Sequence, residues 1–276
     1  MDQGPPPLID ADATIGRNPR ADVGTGTAAA LLARMDRVGI RTAIVSHTAA
    51  RWHDPQTGNH RLLDELRDLA QPAGQGEPHA QGEPAGWGER GGRGDQARLL
   101  PCWVGLPAGT GEVPEAGEFV AGARAAGVVA VRVYPEDHGF DLAGPDCAPL
   151  AAAVAGAGLP LLVDLFQTSW AQLEALAADH PELAIVVGGI GYRVLRRAAG
   201  VLDRRPNISI GTANFSNHLG LEWLAERYGP ERLVFGTGMP DRDPAEAVTR
   251  LLWSELPDDA VAAIGAGNLE HLGVLV

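Results

Sequence analysis

The chain has 276 residues, 45% of them hydrophobic, and a net charge of −13 from 22 basic and 35 acidic side chains. That length suits one large domain with a sizeable core, the acidic balance opposes a nucleic-acid partner, and no apolar run approaches the roughly 20 residues needed to span a bilayer. Lysine is absent, which removes Schiff-base and carboxylated-lysine chemistry. The N-terminus, MDQGPPPLIDADA, lacks a basic segment followed by an apolar one, so it predicts a cytoplasmic protein without a membrane partner. Cys102 and Cys147 are too few for a disulfide framework and read as buried free thiols.

Eight short apolar or β-branched runs occur in order: Leu8–Ala13, Thr42–His47, Leu99–Gly105, Val129–Pro135, Leu159–Leu165, Ala184–Ile190, Ile208–Ala213 and Leu233–Gly238. Segments of helical periodicity follow them, among them AAALLARMDRVGI, HRLLDELRDLA, EFVAGARAAG, CAPLAAAVAGAG, AQLEALAADH and GLEWLAERYG. Runs such as LPLLVDL are apolar on both faces, as parallel strands covered by helices must be. Eight strand–helix alternations predict a single α/β domain over 1–276, a (β/α)₈ TIM-type barrel. A doubly wound open sheet is the competing architecture, because strand order cannot be read from one sequence. No GxGxxG turn follows the first strand.

Residues 71–96 are rich in Gly, Pro and Gln, with QGEP at 75–78 and again at 81–84. Such composition predicts a disordered low-complexity insertion between the second helix and the third strand. The barrel's active sites are built from the loops after the strands. Three of those loops are chemically rich: HTAARWHDPQTGN, PEDHGFDLAGPD and MPDRDP.

The first strand, LIDADATIG, with VRVYP, PLLVDL, IVVGGIG and a final LVFGTGMP, resembles the amidohydrolase superfamily, in particular its branch of metal-dependent hydrolases and decarboxylases. The resemblance runs over nearly the whole chain. It implies the barrel fold, but the positions matching the family's metal ligands are Asp12, Thr14, Asp164, Gly188 and Gly238. Two glycines and a threonine cannot replace the converging nitrogen and oxygen ligands that a catalytic zinc requires. No metal is therefore expected at that set.

On this alignment Asp12 and Asp164 project into the barrel mouth, where two carboxylates in one cavity push their pKa values apart into an acid and a base. The competing reading makes them polar fillers held by Arg or backbone N–H groups. Arg132 and Tyr134 alternate with Val131 and Val133 and share a face; Arg132 either anchors a substrate carboxylate or pairs with Asp164. His47 is a proton-transfer candidate, and Asp12, His47 and Asp164 have the residue types of a rebuilt divalent-metal site. Trp52, His138 and Asn214 lie on the top loops as candidate substrate contacts. Gly58 and Asn59 read as the N-cap of the following helix, and Asp241, Arg242 and Asp243 as another helix start.

The expected function is an enzyme acting on a small organic molecule by metal-independent acid/base chemistry of hydrolase or lyase type, with a homodimer as a possible assembly. The alternatives are a catalytically silent barrel that binds a ligand or protein, and a metal-dependent hydrolase with a rebuilt Asp/His site.

Overall fold

The computed structural model of the chain describes residues 6–20, 26–70, 94 and 97–274; the low-complexity stretch 71–96, apart from Gly94, lies outside the described residues. Eight parallel strands are hydrogen-bonded in sequence order. They are β1 (Leu8–Ile15), β2 (Ile40–His47), β3 (Leu99–Val104), β4 (Ala130–Arg132), β5 (Leu161–Asp164), β6 (Ile185–Gly188), β7 (Ile208–Gly211) and β8 (Leu233–Val234). The segment at and after β8 returns to β1: Ala11 N donates to Phe235 O (3.0 Å), Gly238 N to Asp12 O (2.8 Å) and Thr14 N to Met239 O (2.8 Å). An unbroken 1-to-8 order that comes back to its first strand is a barrel; an open doubly wound sheet would reverse its order at a switch point.

The period-two alternation sorts side chains into two layers. Ile9, Ala11, Ile44, Cys102, Ala130, Leu162, Val186 and Val234 form the inner cluster. Their neighbours Ala43, Val45, Val131, Val133, Val163, Val187, Ile210 and Phe235 belong to the outer core shared with the helices. That double burial is why the strands are apolar on both faces.

The helical shell follows from local chemistry. Helix α1 (Ala28–Val38) is capped at its start by the Thr27 hydroxyl, and it ends at Gly39, whose φ of 76° suits a residue without Cβ. The loop predicted after β2 instead contains α2 (Thr48–Trp52), and α3 (Pro55–Leu69) starts four residues before Asn59. Asp54 is the cap of α3, accepting from Gln56 N and Thr57 N at 3.0 and 3.1 Å, with Pro55 preset for the first turn. Asn59 lies inside the helix, where its amide bonds both Val104 O (2.9 Å) and Val104 N (2.8 Å). After β3 come α4 (Ala116–Ala125), α5 (Pro135–His138), α6 (Ala148–Gly156) and α7 (Trp170–Asp179). Further α-helices among the described residues are α8 (Leu195–Leu202), α9 (Gly220–Tyr228), α10 (Pro244–Leu252), α11 (Asp258–Ala262) and α12 (Asn268–His271). Asp243 caps α10 through Ala245 N (3.0 Å), as the acidic run there predicts. Both cysteines are buried and free. Among the described residues no helix is long and apolar enough to cross a membrane.

Candidate active site

At the C-terminal ends of the strands, Arg132 reaches from β4 across the barrel to β1. Its Nη2 lies 2.8 Å from Asp12 Oδ1, and its Nη1 lies 3.6 Å from Asp164 Oδ2 on the neighbouring strand β5. The two aspartates of the predicted pair therefore meet on one guanidinium.

Two local features allow this. Asp10 and Ala13 of β1 pair with Ala43 and Val45 of β2, a register irregularity that places an extra residue on β1. Ala11 and Asp12 consequently both line the mouth, although strict alternation would send them to opposite faces. Opposite Arg132, the inward positions at the ends of β6 and β7 and just after β8 are glycines: Gly188, Gly211 and Gly236. A Cβ on Gly188 would collide with Asp164 Oδ1, and one on Gly236 would stand 3.2 Å from Asp12 Cβ. The space those side chains would fill is taken by the ion pairs, leaving a cavity of about 20 Å³ between Asp12, Arg132 and Asp164, room for about one water.

Burial, followed by the charge of Asp12, raises the Asp164 carboxyl to about 6, against the pull of Arg132, Arg51 and Arg242. Burial works against the charge on Arg132 as well, but Asp12, Tyr134 and Asp164 outweigh it and hold the guanidinium well above its ordinary value. Burial pushes the Cys102 thiol and the Tyr134 phenol to about 12, so both stay protonated beside the arginine.

The other sequence-predicted residues fall in different places. His47 is not in the cluster: from Ile44 inward and Val45 outward, alternation turns it to the outer face. There its Nδ1 accepts from Ala49 N (3.0 Å), capping α2, and its Nε2 lies 3.2 Å from Glu65 of α3. The rebuilt site of Asp12, His47 and Asp164 is therefore not assembled. Trp52 does not line the cavity; the guanidiniums of Arg20 and Arg51 lie 4.1 and 4.2 Å from its ring. Tyr134 is buried against Ala50 and Val104, its ring 4.7 Å from the Arg51 guanidinium. His138 Nε2 is 3.0 Å from Arg51 O. Asn214, with φ of 64°, faces Gly191 in the loop after β6 and stays outside the aspartate cluster.

Two groups escaped sequence reasoning. Arg51 Nε bonds Asp137 Oδ2 (2.7 Å), which also accepts from Gln167 Nε2 (2.9 Å), so the loops after β2, β4 and β5 are tied together at the rim. Asp10 is fully buried and accepts from Asp12 N and Thr237 N, both 2.9 Å, and from the Thr237 hydroxyl, clasping β1 to the segment after β8. Burial raises its carboxyl to about 6. The acidic spacing Asp10-x-Asp12 was the available signal; the Arg51 contacts had none, because they join loops far apart in sequence.

A metal ion does not fit the residues at the five family positions. Asp12 and Asp164 already face a guanidinium, Gly188 and Gly238 offer no donor side chain, and Thr14 Oγ1 sits 3.4 Å from Met239 O. Among the described residues no three His, Cys, Asp or Glu side chains group as a metal site.

Comparison with known proteins agrees with this barrel. The chain is similar in structure to 2,6-dihydroxybenzoate decarboxylase from Rhizobium, with a TM-score of 0.70 at 17% identity over 98% of both chains. It is also similar to 5-carboxyvanillate decarboxylase from Sphingomonas paucimobilis (TM-score 0.67, 16% identity, 96% of this chain and 98% of that one). A third is a putative amidohydrolase from Staphylococcus aureus (TM-score 0.69, 10% identity, 96% and 98%). At such identities the likeness is one of fold. No curated protein matches the chain in sequence. The amidohydrolase family pattern matches residues 103–270, more than half of the length and including Arg132, Asp164 and Gly188. The chain belongs to the amidohydrolase family.

Proposed function

We propose that the chain is an enzyme acting on a small organic molecule at the barrel mouth, by proton transfer at Asp164 and Asp12 without a metal ion. The observation that carries this reading is the meeting of two carboxylates on one guanidinium at the strand ends. A carboxyl held at about 6 exchanges its proton near neutrality, which suits a general acid or base. Arg132 is spent on the carboxylates, so its part is to hold the pair and not to anchor substrate. The fold neighbours named as decarboxylases of small aromatic acids support a small organic acid as substrate and a lyase as reaction class.

A screen of small carboxylic acids and esters in chelator-treated buffer tests this. Turnover should persist in chelator and fall by about 10²-fold or more in folded Asp164→Asn. Turnover that needs added metal, or that survives in both Asp12→Asn and Asp164→Asn, would overturn it.

One observation favours a second reading, a binding barrel without turnover: the cavity beside the ion pairs measures only about 20 Å³. That reading expects a ligand that shifts the thermal midpoint and is recovered unchanged.

A further inference from the structure

We propose that Arg132 is a built-in replacement for a metal ion, its guanidinium supplying between Asp12 and Asp164 the positive charge that a divalent cation supplies where the family's ligand pattern is intact. The inference concerns the same mouth as the reading above but stands on binding and stability, not on turnover.

Position is the first argument. Of the five family ligand positions, the two that still carry an ionisable side chain are Asp12 and Asp164, and both lie within ion-pair distance of this one guanidinium. The cation comes from β4, on a side chain long enough to cross the barrel, and its Nη2 also lies 3.5 Å from Ala11 O on the far strand.

The second argument is that the exchange is a linked set of changes. A Cβ at position 188 would collide with Asp164 Oδ1, so a ligating side chain on β6 and the present placement of Asp164 exclude one another. Gly238 has φ of 74°, a conformation that a side chain adopts only with strain. Restoring one ligand at a time therefore does not restore a metal site while Arg132 remains.

Charge is the third. Arg132 is 5% exposed, and swinging it outward would take from Asp12 and Asp164 the ion-pair partner that they share. A divalent cation entering beside it would meet a like charge at contact distance in a region of low dielectric. Guanidinium and metal are mutually exclusive occupants, and only one of them can be removed by a chelator.

The test uses the full chain, freed of metal with chelator, and Mn²⁺ as probe. Binding is read by the loss of the free-ion spin-resonance signal, and stability by the thermal midpoint. Wild type and Arg132→Lys should keep the same midpoint in chelator and in millimolar Mn²⁺. Arg132→Met, which keeps an unbranched stem and loses the charge, should melt lower in chelator and be raised in part by millimolar Mn²⁺, which the freed carboxylates of Asp12 and Asp164 hold weakly but at least about tenfold more tightly than wild type does. If that variant does not fold in chelator, refolding in Mn²⁺ should recover it. A folded Arg132→Met indifferent to Mn²⁺ overturns the proposal. So does a wild type that takes up one equivalent of Mn²⁺ and loses it in Asp12→Asn. Should Arg132→Met fold under neither condition, the wild-type arm decides: binding that depends on Asp12 refutes the replacement, and a midpoint indifferent to chelator and Mn²⁺ supports it.

Discussion

The guanidinium of Arg132 on β4 lies 2.8 Å from the carboxylate of Asp12 on β1, so a single side chain bridges two strands that are three places apart in the barrel. Removing one partner of a buried pair leaves the others uncompensated. Arg132→Met is expected to lose about 3 kcal/mol of stability at neutral pH, read from urea unfolding. A loss below about 1 kcal/mol, the usual worth of an exposed pair, would show that the bridge is solvated.

Gly188→Ala tests the glycine side of the mouth. The added methyl meets Asp164 Oδ1 directly, whereas at Gly211 the nearest atom to a Cβ is Gly188 Cα at 3.4 Å, ordinary contact. Gly188→Ala should therefore cost about 1–3 kcal/mol through overpacking, and Gly211→Ala distinctly less. Equal losses would mean that Asp164 moves aside freely.

The pH dependence has a definite sign. Burial raises Asp10 and Asp164 from an ordinary value of 3.8 to about 6. Between about pH 4 and 6 the folded chain then holds protons that the unfolded chain has released. For these two groups, stability falls as pH rises through that window and levels off above it. Each contributes at most on the order of 3 kcal/mol. Asp10→Asn and Asp164→Asn should each flatten the slope of unfolding free energy against pH. A wild-type slope retained in both variants would contradict the assignment.

Asp54 and Asn59 separate capping from bridging. Asp54→Ala removes the α3 cap and should cost about 1 kcal/mol. Asn59→Ala deprives two backbone groups of Val104 of their buried partner and should cost about 1–3 kcal/mol. Thermal melts of the two variants check the order; a greater loss at Asp54 than at Asn59 would contradict the weight given to the buried Val104 bridge.

Much of the frame was legible in the sequence because it depends on local, periodic physics. Strands apolar on both faces between amphipathic helices require a covered parallel sheet, and every predicted strand run contains an observed strand, or at β1 and β2 most of one. The helix start at Asp243 was equally local. The α2 turn and the Asp54 cap were misread because their signals compete within a few residues: Asp-Pro both initiates turns and starts helices. What the side chains at the mouth do was decided by the tertiary structure. Its place at the end of a strand put His47 among the candidates without saying which face of β2 it occupies, and strict alternation would have separated Asp12 from Ala11; the β1 irregularity reverses the second outcome. That Arg132 meets Asp12, 120 residues earlier, and that glycines make room for the meeting, depends on closure of the barrel. Strand periodicity is a property of neighbours in sequence, and the charge that faces a carboxylate is a property of neighbours in space.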